Sequence, residues 1–445
     1  MTALLGTTET TTRTAGRALR TDRYELTMLS SFIEEGTADH RAVYEAFARR
    51  LPKGRRFGVV AGLGRLLNAL PDFRFDTSEI DYLLATGAVT PRCADYLAAF
   101  RFTGNIDAYR EGELYFGGSP VLTVDGRKSE GLLLETLALS ILNHDSAVAS
   151  AGARMVLAAR GRPLIEMGGR RTHEDAAVAA ARAAYIVGFA STSNLAAGYL
   201  YGIPTVGTAA HAFTLAHHTE KAAFASQVAA YGPGTSLLVD TYDIEQGIRN
   251  AVEVAGPALG GIRIDSGDLE VEARKARALL DSLGATDTRI VVTSDLDEYV
   301  ISTLAAAPID TYGVGTRLVT GSGHPTAGMV YKLVAVADQP GKDAPIRPVA
   351  KKASGKANVG GKKIAHRLLR DDGIAYKEQV VVRYLPEAGE ALAGRPLQVP
   401  VVRNGERVHS PTLNETRQHH AGAIAELSPM DRDLATGTPA LDGNR

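Results

Sequence analysis

Residues 259–295 read LGGIRIDSGDLEVEARKARALLDSLGATDTRIVVTSD. The apolar run LGGIRID breaks at Ser266-Gly267. The helix-patterned GDLEVEARKARALLDSLG follows, and then a second apolar run, TRIVVTSD. Run, turn, amphipathic helix and run make one βαβ unit. Such a unit requires its two strands to lie parallel.

The same rhythm extends both ways. Upstream, RPLIEMG (162–168) precedes the alanine-rich helix HEDAAVAAARAAYIVG (173–188). GIPTVGT (202–208) precedes TEKAAFASQVAAYG (219–232), and TSLLVD (235–240) precedes IEQGIRNAVEVAG (244–256). Downstream, LDEYVISTLAAA (296–307) leads to IDTYGVGT (309–316). The spacing of about 25–40 residues suits βαβ units. At least six strands in succession, with no edge signal, favour a barrel over an open sheet. Outside this region the pattern changes. Residues 1–20, MTALLGTTETTTRTAGRALR, are Thr-rich without a solid apolar core and read as a disordered leader. Residues 21–128 read as an accessory α+β domain, opening with a helix that Asp22 is expected to cap. Residues 129–335 read as the barrel, entered through a long helix near Ser129. Residues 336–445 read as loops, short strands and a terminal helix packing on the accessory domain.

Composition narrows the function. The 445 residues carry 49 Lys+Arg against 50 Asp+Glu, a formal net charge of −1, so no charge excess points to nucleic acid or an anionic membrane. A lone cysteine, Cys93, excludes an internal disulfide and a polythiolate zinc site, and fits a reducing cytoplasm. No apolar run reaches the roughly 18–20 residues that a membrane span needs.

In a βα barrel, chemistry gathers at the strand C-termini and the loops that follow. Those points hold Arg170 and Arg171 after LIEMG, Thr208 and His211 after PTVG, and Thr241 after LLVD. They hold Arg263, Asp265, Ser266, Gly267 and Asp268 around GIRI. Ser294 and Asp295 follow IVVT, and Gly313, Gly315 and Thr316 lie in the last unit. Cations, hydroxyls, glycines, carboxylates and an imidazole suit a phosphorylated, sugar-like substrate held with a divalent cation. Arg263 and Asp265 share a strand face, because residues i and i+2 point the same way. A Ser/Asp cap beside a surface arginine would explain RIDSGDL equally well, and a tight turn would explain YGVGT. The two loops on consecutive strands, beside VTSD, favour phosphate. His211 by itself would read as a capping or core histidine. Its place at a strand end, with Thr208 nearby and only alanines between, raises the functional reading.

Other chemistries lack their signatures. Gly313-x-Gly315 continues to Leu318, so a dinucleotide fingerprint fails. The chain has no P-loop, HExxH motif or GxSxG elbow. None of the strands has a central lysine for an aldolase Schiff base.

Seven stretches in order now become telling: TDRYELTM (21–28), RPLIEMGGRRTHE (162–174), GTAAHAF (207–213), IRIDSGDL (262–269), VVTSDLDEY (291–299), YGVGTRLVTGSG (312–323) and MVYKLV (329–334). Together they resemble the nicotinate phosphoribosyltransferases. The resemblance implies a type II phosphoribosyltransferase-like fold: an irregular TIM-like α/β barrel with an accessory α+β domain, usually dimeric with shared active sites. It implies transfer of phosphoribosyl from 5-phosphoribosyl-1-diphosphate to nicotinate, coupled to ATP hydrolysis and requiring Mg2+. By similarity His211 would carry a transient phosphoryl group. Tyr24, contributed by the partner chain, would contact nicotinate together with Thr208 and Arg263. Arg170 would lie near the substrate, and Gly315 and Thr316 in the phosphoribosyl site. Ser294 joins these as a phosphate ligand. Asp265, taken as catalytic, and Asp295 are the candidates for Mg2+ or ribose hydroxyls; the metal ligands themselves stay open. Relatives often carry Phe where this chain has Met167, so ring stacking leans more on Tyr24. Nicotinamide and quinolinate are the rival bases. The first would call for a carboxylate to accept the amide N–H, where this chain offers Thr208 and alanines. The second would call for a denser cluster of cations.

Overall fold

The computed structural model describes residues 15–351, 359–382, 392–434 and 437–441. Six parallel strands form one sheet in the order Ser191–Thr192, Leu164–Glu166, Thr311–Val314, Arg289–Ser294, Gly261–Ile264, Ser236–Leu238. Register sets two faces. Val291 pairs with both Arg263 and Thr311, Gly313 with both Thr293 and Ile165, and Leu238 with Arg263. Ile262, Ile264, Ile290, Val292, Tyr312 and Val314 alternate with these. They are wholly buried on the helix-covered face. The concave face carries Arg263, Val291, Thr293, Thr311 and Gly313.

The expected barrel is a half-barrel. A closed ring would pack these inward side chains in layers. Here Arg263, Val291 and Thr311 stay half-buried. The reason lies in GIPTVGT, which supplies one bridge, Thr192 to Thr205, in place of a full strand. Pro204 has no N–H to give, so the contact consists of Thr192 N–H to Pro204 O at 3.0 Å and Val206 N–H to Thr192 O at 3.0 Å. The sheet stops there and at Ser236–Leu238. The strand Ser191–Thr192 and helix Leu195–Tyr201 were not foreseen.

Caps fix where each helix leaves its strand. Asn194, Thr219, Asp243, Asp268 and Asp297 each accept a backbone N–H from the first turn that follows. Asp268 is therefore spent on its helix. Gly267 adopts φ +84°, so its glycine serves the turn between Asp265 and that cap.

The second half is a seven-stranded antiparallel sheet in the order Ile346–Pro348, Met329–Pro340, His40–Ala48, Leu122–Arg127, Asn105–Tyr109, Gln398–Arg403, Glu406–Arg407. Met329–Pro340 pairs with His40–Ala48 along its length, so this strand crosses the expected boundary at 335/336 and belongs to the accessory sheet. Helix Glu135–Ala159 lies between the halves, packing on Gly58–Val59, Glu174–Ile186 and Glu298–Thr303. At the start of the chain, residues 1–14 of the expected leader fall outside the described residues, but packing begins before residue 21. Ala18 is fully buried, and the Gly16 N–H donates to Glu79 Oε1 at 2.6 Å. Asp22 takes the N-cap position of helix Arg23–Glu34 without making the expected side-chain cap.

The Lys-rich stretch 351–363 lies partly outside the described residues, at 352–358. Its end is structural: Lys363 pairs with the buried Glu45 at 2.7 Å, and Lys362 lies 3.3 and 3.1 Å from Asp107 and Asp125.

Candidate active site

At the strand C-termini of the half-barrel, side chains from four successive units converge. Arg263 rises from the concave face with 16 % of its side chain exposed. Its Nε donates to Thr293 Oγ1 at 3.0 Å. The outer fork is held more loosely: Nη1 reaches Thr208 Oγ1 at 3.3 Å and Ala209 O at 3.4 Å, and Nη2 reaches Asp265 Oδ1 at 3.4 Å. Such lengths lie at the weak end of the hydrogen-bond range, so the stem is anchored while the fork is free to grip something else. Thr293 also donates to Asp265 Oδ1. Burial pushes the Asp265 carboxyl up, but the Thr293 hydroxyl, the Arg263 guanidinium and His211 outweigh it and hold the group below its ordinary range.

His211 opens the short helix His211–Leu215. Its Nδ1 lies 3.1 Å from Thr241 Oγ1, which orients the ring. Its Nε2 faces two carboxylates, Asp240 Oδ1 at 4.0 Å and Asp265 Oδ2 at 3.9 Å. Asp240 is the more constrained. Its Oδ2 accepts from the Asp265 N–H at 2.8 Å and Ser266 Oγ at 2.7 Å, while Oδ1 is buried without a hydrogen-bond partner. An orphaned anionic oxygen in the interior is costly unless a cation or donor meets it.

Met167 sits on the floor. A Cβ added to Gly313 would meet Thr293 Cγ2 at 2.5 Å and Met167 Sδ at 2.8 Å, so only glycine lets the thioether settle on this strand. Gly313→Ala is expected to cost about 1–3 kcal/mol by overpacking. Urea unfolding measures this; an unchanged midpoint would mean that Met167 swings aside freely.

The structure brings together Thr208, His211, Arg263 and Asp265. Ser294 and Asp295, both exposed, end the next strand, and Gly315 and Thr316 follow the strand beyond. Arg170 is exposed on the loop after Leu164–Glu166. Tyr24 belongs to the other half. Its neighbours are Glu135, Glu25 and Asp22, and burial together with these acids pushes its hydroxyl up to about 12.

The chain is 55 % identical over 431 residues to nicotinate phosphoribosyltransferase pncB1 of Mycobacterium tuberculosis, covering 95 % of this chain and 94 % of that protein. The chain belongs to the nicotinate phosphoribosyltransferase family. The nicotinate phosphoribosyltransferase of Bacillus subtilis is 38 % identical over 380 residues, covering 82 % of this chain and 77 % of that one. The family model for the nicotinate phosphoribosyltransferase N-terminal domain matches residues 19–143. The crystal structure of human nicotinic acid phosphoribosyltransferase superposes with a TM-score of 0.80 at 28 % identity, covering 94 % of this chain and 96 % of that one. The match extends to the half-barrel, so the open parallel sheet is the architecture of a nicotinate phosphoribosyltransferase.

Two residues that the structure brings to this rim, Asp240 and Thr293, were missed in the sequence. Asp240 ends TSLLVD as Asp265 ends GIRID, and that parallel was the available signal. Thr293 sits inside IVVTSD with nothing to separate it from a strand residue. Glu166, paired with Val314 and so on the helix-covered side of the sheet, is buried and accepts from Gly168 N–H and Thr192 Oγ1, each at 2.5 Å. It ties the loop after its strand to the neighbouring edge strand, and burial pushes its carboxyl up.

Among the described residues no cluster of three or more His, Cys, Asp or Glu could cage a metal ion. The donors at the rim nevertheless fit Mg2+. A hard cation takes one or two carboxylates and completes its shell with water and substrate phosphates. Asp240 Oδ1, buried and unpartnered, and Asp265 Oδ2 are the oxygens that would hold it. The sequence had offered Asp265 and Asp295 for that role.

Proposed function

We propose that the protein transfers phosphoribosyl from 5-phosphoribosyl-1-diphosphate to nicotinate in NAD salvage, and that ATP hydrolysis is coupled to the transfer through a phosphohistidine on His211. The observation that carries this reading is the meeting, at one rim, of a loosely held guanidinium fork with an oriented imidazole and two carboxylates. The nicotinate carboxylate takes the Arg263 fork and the Thr208 hydroxyl, in place of the long contacts to Ala209 O and Asp265. Its ring lies over Met167. The pyridine nitrogen attacks C1 of the ribose, the C1–diphosphate bond breaks, and diphosphate leaves. Ser294, Gly315 and Thr316 hold the 5′-phosphate, with Arg170 nearby. Mg2+ would supply charge neutralisation for the diphosphate. Asp265 stays ionised there and takes ribose hydroxyls or shares the cation with Asp240, and the exposed Asp295 offers a further carboxylate to the ribose hydroxyls.

In the ATP half-reaction, the reactive tautomer of His211 is the one that donates Nδ1–H to Thr241 Oγ1, 3.1 Å away, and keeps the lone pair on Nε2. A bond forms between Nε2 and the γ-phosphorus, the bond to the ADP oxygen breaks, and water later releases phosphate. Asp240→Asn keeps the shape but removes a carboxylate that would hold the Mg2+ on which the approach of the triphosphate to Nε2 depends. It is expected to lower ATP hydrolysis about 100-fold. A phosphate-release assay checks this, and wild-type hydrolysis would remove Asp240 from the mechanism.

A homodimer with shared sites completes the reading. Tyr24 lies with the acids of the accessory half, so its ring would reach a base pocket on a second copy. Helix Leu195–Tyr201, beside the rim, leaves Leu195, Tyr199 and Leu200 exposed, and Leu215 and Val206 are exposed nearby. Exposed large apolar side chains of this kind are ones that a partner would cover. Among the described residues no helix is long and apolar enough to cross a membrane. A cytoplasmic setting fits the single, buried, free Cys93.

The deciding experiment is a mass assay of products from phosphoribosyl diphosphate and Mg2+ with nicotinate, nicotinamide or quinolinate, each with and without ATP. Nicotinate mononucleotide, stimulated by ATP, is the expected product. No mononucleotide, or a preference for another base, would overturn the reading.

A further inference from the structure

A buried carboxylate lies behind two of the rim loops. Glu298 opens helix Glu298–Thr303, three positions after Asp295. Ser322 lies in the turn Gly321–Gly323, six positions after Thr316. Its hydroxyl donates to Glu298 Oε2 at 2.6 Å. Glu298 Oε1 accepts from Arg154 Nε at 3.0 Å and lies 3.7 Å from Arg55 Nη1. Arg55 also donates to Gly321 O at 3.0 Å and to Ser150 O at 3.3 Å. Arg154 and Ser150 belong to helix Glu135–Ala159, so the long helix backs both loops. The side chains of Arg55, Arg154 and Glu298 are each at least nine-tenths buried.

The backbone at Ser322 makes the link unusual. Its φ is +52°, between Gly321 at +64° and Gly323 at +86°. Three successive left-handed residues are a run that glycine makes without strain, yet the central position carries a side chain. That side chain is used in the hydrogen bond to Glu298. Burial pushes the Glu298 carboxyl up, but Ser322 and the neighbouring guanidiniums outweigh it and keep it ionised. Two guanidiniums around one carboxylate leave a net positive charge beneath loops that would receive phosphate.

We propose that the Ser322–Glu298 hydrogen bond is a bolt that fixes the spacing of the Ser294-Asp295 loop against the Gly315-Thr316 loop, making both positioning residues for phosphoribosyl diphosphate. This rests on the reading that those two loops hold its 5′-phosphate. The bolt touches no substrate. It acts through the loops, so its loss spares the base subsite at Arg263 and Thr208.

Steady-state kinetics of Ser322→Ala and Ser322→Gly, with Thr316→Ala as reference and thermal melting alongside, tests the bolt. A hydrogen bond to a buried charge is worth about tenfold in an equilibrium constant. Both Ser322 variants are expected to raise the KM for phosphoribosyl diphosphate about tenfold. The KM for nicotinate should stay within about twofold and the melting temperature within a few degrees. A normal KM in Ser322→Gly beside a raised one in Ser322→Ala would show that only the turn conformation matters, overturning the bolt. Unchanged Ser322 variants beside an impaired Thr316→Ala would overturn the bolt and leave the loop assignment standing. An unchanged Thr316→Ala would end the loop assignment, and the bolt with it. Equal rises in both substrate KM values would mark general loosening and also count against it.

Discussion

Replacing His211 with alanine is expected to cut ATP hydrolysis by on the order of 1,000-fold or more, the scale of losing a nucleophile. It should also abolish acid-labile labelling by γ-labelled ATP. A slow transfer to nicotinate should survive, and adding ATP should no longer change its rate. The geometry explains why one side chain separates these outcomes. On the proposed reading the imidazole would serve only the phosphoryl step: its Nδ1 lies against Thr241, and its Nε2 faces the pair Asp240 and Asp265. The base would be gripped elsewhere, by Arg263 and Thr208, whose side chains meet at 3.3 Å. Two carboxylates about 4 Å from the attacking nitrogen would repel a triphosphate unless a divalent cation neutralised them. The ATP step should therefore depend on Mg2+ more steeply than the residual transfer. Full ATP stimulation in the alanine variant would end the phosphohistidine assignment.

Some of this site was legible in the chain and some was not, for physical reasons. Arg263 and Asp265 could be placed on one face because strand periodicity is rigid, and His211 could be placed at a strand end because glycine and threonine punctuate the run before it. Asp240 could not be separated from a helix cap. An aspartate after a strand reads the same whether it caps, as Asp268 and Asp297 do, or turns inward with an unpaired oxygen. Glu298 was less visible still, since its partners Arg55, Arg154 and Ser322 come from distant parts of the chain. The irregular α/β barrel was legible in the local pattern, but the point at which it stays open was not. GIPTVGT has strand composition, but closing a ring needs a long run of donors, and Pro204 interrupts it. The 335/336 boundary failed similarly: pairing with His40–Ala48 is a contact between sequence-distant strands, and local composition does not report it. Asp22 had the residue type of a cap and the extended backbone of one, yet its side chain makes no capping bond.

Arg263→Ala is expected to lower kcat/KM for nicotinate by about 100- to 1,000-fold, equivalent to about 3–4 kcal/mol for a charge-assisted fork in a partly buried site. The loss should fall on the acid and largely spare the neutral amide, because nicotinamide has no carboxylate for the fork to grip. Activity on nicotinamide therefore serves as the internal control for a damaged fold, and thermal melting as the external one. Arg263→Lys keeps the charge without the planar fork and should recover only part of the loss. A second signature concerns protons. Arg263 is one of the groups that hold the Asp265 carboxyl below its ordinary range. A depressed carboxyl stays ionised as pH falls until its lowered pKa is reached, so removing the guanidinium lets it take up a proton at higher pH. The acid limb of the kcat/KM profile should then move upward in the alanine variant and less in the lysine variant. An unchanged kcat/KM for nicotinate would remove Arg263 from the base subsite. A uniform drop on both bases, with the acid limb in place, would reduce its role to holding Thr293 and Asp265 in position.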